Sequence, residues 1–162
     1  MKRNLASHFV VFGLGLAVLV AALVFGGHVF AAEPIRSPEG PTVKQAYDEL
    51  LSVQFFAFGG VGFAGTTSEG EKAFRTVAAS TNGLELFTAV LKHGNAQGQL
   101  YALCGIRALA REKFETCAKP LVTANRKVTT MSGCMGMEEG ASNVVARISA
   151  GSYDAQIRNQ AK

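Results

Sequence analysis

From Thr42 onward the chain is written in short blocks of helical period, most of them opened by a residue suited to cap a helix. Val43, Ala46, Tyr47, Leu50 and Leu51 follow the i, i+3, i+4, i+7, i+8 spacing that gathers apolar side chains on one helix face. Thr42 stands at the N-cap position. Ser68-Glu69-Gly70-Glu71 has the form of a capping box, with the acid three residues after the cap. It predicts a helix with Phe74, Val77 and Ala78 inward. Asn82-Gly83-Leu84-Glu85 repeats the form and predicts a helix that buries Leu84, Phe87 and Leu91 and stops at Gly94. Asn95 caps a third block, with Leu100, Leu103, Cys104 and Leu109 as its stripe. A fourth begins near Arg111, with Phe114, Cys117, Ala118 and Leu121 on one face. Pro120 should stop or bend it.

Val128-Thr129-Thr130-Met131 predicts a short extended stretch, and Gly133, Gly136 and Gly140 mark loop. Val144, Val145 and Ile148 predict a last helix ending at Gly151, followed by a polar tail over 152–162. Short connections between short helices make antiparallel helical hairpins. The expected fold class is therefore all-α over residues 42–151. Two arrangements fit: a stub resembling a HEAT-type α-solenoid, built from hairpins at about 68–93 and 95–123, or a small orthogonal bundle. A chain with 48% hydrophobic and 17% charged residues is not disordered throughout.

The N-terminus has another pattern. Met1-Lys2-Arg3-Asn4 is basic, Phe9 to Phe25 holds no charge, and Val29-Phe30-Ala31-Ala32 follows. A basic start, an apolar middle and a small-residue exit form a secretory signal peptide, here 1–31. The alternative is a retained anchor in the inner membrane, since the apolar run approaches the ~17–25 residues that span a bilayer. Either arrangement exports the remainder to the periplasm or beyond. Membrane contact is expected only through an uncleaved N-terminus. Residues 32–41, with Pro34, Pro38 and Pro41, should form an extended tether.

Loss of Lys2 and Arg3 would reduce 16 basic residues to 14 against 12 acids. That balance lacks the clustered basic face of a nucleic-acid binder. Gly98-Gln99-Leu100-Tyr101-Ala102-Leu103-Cys104-Gly105 and Ser132-Gly133-Cys134 resemble strings in small exported bacterial proteins of unassigned function. The resemblance spans roughly residues 50–150. It implies an exported helical domain and carries no activity.

Cys104, Cys117 and Cys134 are an odd set for an oxidising compartment. The expected pairing is Cys104–Cys134, because a glycine-flanked loop can adjust to disulfide geometry. Cys117 is then a free thiol beside Phe114 and Leu121. Such a bond would close about 30 residues and contribute roughly 3–4 kcal/mol. Three cysteines with His93 match the count of a structural zinc site, but without ligand spacing, so no metal is expected. A Cys117–His93 catalytic pair is the enzymatic alternative, opposed by the predicted burial of Cys117.

Gly60-Val61-Gly62-Phe63-Ala64-Gly65 matches Gly-x-Gly-x-x-Gly. Glu69 and Glu71 at the next helix start would repel a pyrophosphate, so no nucleotide cofactor is expected. Phe55, Phe56, Phe58 and Phe63 cannot all face one core from a single short stretch, and an exposed remainder would mark an interface. Adjacent acids such as Glu138 and Glu139 diverge and make no carboxylate dyad. No serine-nucleophile motif occurs. The expected role is a non-catalytic interaction module that meets another envelope protein. An enzyme using Cys117 or His93, or an envelope-anchored structural protein, are the alternatives.

Overall fold

Helix α4, Ala96–Leu109, is the element around which the others assemble in the computed structural model, which describes residues 40–124 and 126–158. Every residue from Gly98 to Ile106 is buried. From Leu100 to Ile106 the helix is apolar on all sides, and such a segment belongs inside a fold, not on its surface. Around it pack α1 (Val43–Ser52), α2 (Glu69–Ala78), α3 (Gly83–His93), α5 (Phe114–Ala124), α6 (Ala141–Ser149) and the short α7 (Asp154–Arg158). Two glycines on α4 set the closest approaches. A Cβ at Gly98 would strike the carbonyl of Leu50 on α1, and one at Gly105 would strike the ring of Phe87 on α3. Side-chain-free positions are what let two helix backbones draw this near.

The caps read from the sequence largely form. Thr42 and Gln45 make a reciprocal capping box. The Ser68 hydroxyl accepts from the Glu71 N–H, and the Asn95 side chain accepts from Gly98 N. Asn95 also joins α4 to α1, donating through its backbone to Leu51 O and through its amide to Val53 O. Asn82 makes no side-chain cap bond, and Leu109 ends the α4 stripe exposed.

The fold is mostly helical but not all-α, since two small antiparallel sheets are present. In the first, β1 (Gly60–Val61) pairs with β2 (Thr66–Thr67). In the second, β3 (Lys127–Ser132) pairs with β4 (Met135–Gly140) along its whole length. The expected extended stretch at 128–131 is therefore strand, and the glycine-marked loop after it is a second strand. Val128 and Thr130 face inward and hold β3 to the body. β4 contributes no buried residue and is ordered by its ladder to β3. The chain at Phe56 runs parallel to β3, with Phe56 N donating to Thr129 O at 2.9 Å and Met131 N to Phe56 O at 3.0 Å.

Pro120 lies inside α5 instead of ending it. A proline deprives the carbonyl four residues back of its donor, and Thr116 is exposed there, so water can reach that group. The expected tail beyond Gly151 also differs. Tyr153 and Ile157 pack against the core, and α7 is fastened by two Arg107–Asp154 hydrogen bonds of 3.1 Å. The expected signal peptide 1–31 and nearly all of the tether 32–41 lie outside the described residues. Among those described, no helix is long and apolar enough to cross a membrane.

Candidate functional site

The four phenylalanines of the aromatic stretch differ in burial. Phe56 is 1% exposed. Its ring meets Tyr101 at 4.8 Å and Tyr153 at 5.2 Å. Phe58 is half-buried against Phe74, Tyr101 and Tyr153. Both serve the core, so neither belongs to an exposed patch. Phe55 is half-buried. Phe63 alone stands free, at 102% exposure.

Phe63 stands out because the glycine motif is a hairpin. β1 turns through Gly62–Gly65 into β2, with left-handed φ of 70° at Gly62 and 60° at Gly65. The chain returns on itself as strand before α2 begins at Glu69. A phosphate loop instead passes from its strand straight into a helix. The hairpin base is held from beneath by Glu71, which is 1% exposed, accepts from Gly59 N at 2.8 Å and pairs with Arg75 at 2.5 Å. From sequence, Glu71 looked fully explained as a capping-box acid. A buried acid on the inward stripe of its own helix was the missed signal. Tyr101 OH completes the base: it donates to Ala57 O at 2.6 Å and accepts from Ala57 N at 2.9 Å. Burial pushes this phenol up to about 12, so it stays protonated.

The β3–β4 hairpin lies beside the first. Gly62 N donates to Gly133 O at 2.9 Å, and Val61 bridges Gly133 in parallel. Gly133, at φ 54°, and Cys134 form the two-residue turn between the closing pair Ser132 and Met135. Glycine at the first central position suits the hairpin turns whose twist matches the strands. Beyond the turn Met135 is 65% and Met137 50% exposed. The two hairpins thus carry three of the six exposed large apolar side chains among the described residues.

Behind β4 lies a cleft of about 280 Å³ whose lining includes Phe56, Thr130, Met137, Glu139, Arg147 and Tyr153. Arg147 clamps Glu139 through two bonds of 2.6 and 2.8 Å, and Thr130 Oγ1 donates to the same carboxylate at 2.9 Å. Arg147 Nε donates to Tyr153 OH at 3.2 Å. The guanidinium holds the Glu139 carboxyl below its usual range. A carboxylate so fixed is no general acid near neutrality. The cluster instead fastens α6 and residue 153 to the hairpin.

The other expected site residues do not come together. Cys104 is fully buried within α4, Cys117 half-buried on α5, and Cys134 exposed at the hairpin turn; all three are free thiols. The expected Cys104–Cys134 bond is not formed, because one sulfur lies inside the helical body and the other at a solvent-facing turn. Burial also pushes the Cys104 thiol up, away from the reactive thiolate. Cys117 borders a cleft of about 330 Å³ with Thr88, Lys92, Gln99 and Arg126, while His93 is exposed at the end of α3 and is not part of that wall. Among the described residues no three His, Cys, Asp or Glu side chains gather as a metal cluster. A third groove, about 580 Å³ between α2, α4 and α7, is lined mainly by aliphatic side chains, with Arg75 and Arg158. Every buried side-chain nitrogen or oxygen described has a hydrogen-bond partner.

Comparison with known proteins finds no matching family model, no match among curated proteins and no match among solved structures. The described residues define a class by architecture alone: a small, mostly helical body carrying two adjacent exposed β-hairpins.

Proposed function

We propose that this protein is a non-catalytic interaction module of the bacterial envelope, exported by its N-terminal segment, whose working surface is the pair of hairpins. The observation that carries the reading is Phe63. A fully exposed phenylalanine at the tip of a hairpin braced by Glu71 and Tyr101 contributes nothing to the core. Aromatic side chains on rigid supports are the usual anchors of protein interfaces. The neighbouring Met135 and Met137 extend the apolar surface. For the body, the packing of six helices around α4 supports the orthogonal-bundle arrangement over the HEAT-like stub, where each repeat would touch only its neighbours.

The test is retention of envelope proteins on the tagged full chain. A discrete partner should be held by the wild type and lost on Phe63→Ser, with helicity unchanged. Equal retention by both removes Phe63 from the interface.

A further inference from the structure

Apart from Met1, every methionine of the chain falls in one short window: Met131, Met135 and Met137, with Cys134 among them. Methionine ordinarily fills gaps inside cores. Here Met135 and Met137 are exposed and Met131 only partly covered, so core packing does not explain the concentration.

The strand register gives it a geometry. Met135 lies opposite Ser132 and Met137 opposite Thr130. Positions two apart in a strand share a face, so the two thioethers project from one side with Cα atoms about 7 Å apart. Both side chains are long and unbranched and can close on a common point. Cys134 immediately precedes Met135 in the turn, exposed and unpaired. Met131 lies across from Gly136, which places no side chain beside it, and lines the same cleft as Met137. The nearby hard donor Glu139 is already taken by Arg147 and Thr130. Glu138 alternates to the opposite face of the strand, so apart from the neutral Ser132 hydroxyl opposite Met135 this face offers an incoming ion sulfur. Thioether and thiolate donors select Cu(I) over zinc and over the hard divalent cations.

We propose that the β3–β4 hairpin binds one Cu(I) ion through the Cys134 Sγ and the Met135 and Met137 Sδ atoms. Binding exchanges the Cys134 thiol proton for the metal, so one proton leaves per ion bound and affinity rises with pH. Phe63 supplies no ligand atom to the site, so Phe63→Ser removes none of its donors even if the interface reading fails.

The experiment is anaerobic titration of the reduced full chain with Cu(I) against bicinchoninate, a coloured Cu(I) chelator. One equivalent should be withdrawn from the chelator. The double variant Met135→Leu/Met137→Leu should bind at least about tenfold more weakly, and adding Cys134→Ser should abolish competition with the circular dichroism spectrum unchanged. Cys117→Ser should bind as the wild type does. X-ray absorption at the copper edge of the wild-type complex should report a sulfur-only shell, a readout that needs no variant. A wild type that leaves the chelator loaded, a triple variant that competes equally, or a shell of nitrogen and oxygen overturns the proposal.

Discussion

The α4-centred body and the paired hairpins are built by opposite rules. In the body, Gly98 to Ile106 is buried without interruption, and apolar side chains from six helices close around it. In the hairpins the backbone is fixed by ladders, glycine turns and a few polar braces, while the side chains at the ends point into solvent. Burial stabilises the first region. The second is held from below, by Glu71, Tyr101 and the Glu139–Arg147 pair, so that its tips need not pack at all. The difference separates what keeps the chain folded from what remains free to meet something else.

The sharpest way to break the contrast is inside the body. Gly98→Ala would drive a methyl group into the Leu50 carbonyl and force α1 off α4. Backbone cannot yield as a side-chain tip does, so the expected loss is about 3 kcal/mol or more, read by thermal unfolding. A cost under about 1 kcal/mol would mean that α1 and α4 are not so closely apposed.

The next perturbation tests the bracing. Tyr101→Phe removes the hydroxyl that serves both Ala57 N and Ala57 O. Leaving buried backbone groups unpaired should cost about 2–3 kcal/mol and raise amide exchange at Ala57 selectively. Uniform exchange would show that the phenol is no local pin.

Much of the body was legible in the sequence. Thr42, Ser68 and Asn95 cap helices because their side chains act on N–H groups two or three residues away, a distance that sequence spacing captures. The hairpins were less legible. Met135-Gly136-Met137-Glu138-Glu139-Gly140 is poor in strand-forming residues and becomes strand only through pairing with β3. Residues 60–67 hold two strands of two residues each, too short for any alternation to register. Tyr153 and Asp154 looked like tail because their partners, Phe56, Phe58 and Arg107, are distant in sequence. The Cys104–Cys134 expectation rested on the adaptability of the glycine-flanked loop, and loop adaptability says nothing of which cysteine a helix bundle will enclose.

A smaller effect is expected where the hairpin meets α6. Arg147 lowers the Glu139 pKa in the fold, whereas an unfolded glutamate titrates near about 4.3. A depressed folded pKa stabilises above the unfolded value, and that contribution is lost as pH falls through the folded one. Glu139→Gln should therefore cost about 1–2 kcal/mol at neutral pH and converge with the wild type below the carboxylate range. Parallel stability curves from pH 7 to pH 2 would show that the pair contributes nothing. The smallest effect belongs to Phe63→Ser, expected within about 0.5 kcal/mol of wild type in a denaturant titration. A larger loss would return Phe63 to the core and erase the contrast between the regions.

The division between body and hairpins is tested most directly by a photoreactive side chain placed in turn at position 63 and at the exposed Lys119 on α5, with crosslinking in living cells. A discrete adduct from position 63 that is absent from position 119 is the predicted result. No adduct from either position, or the same adduct from both, would contradict it.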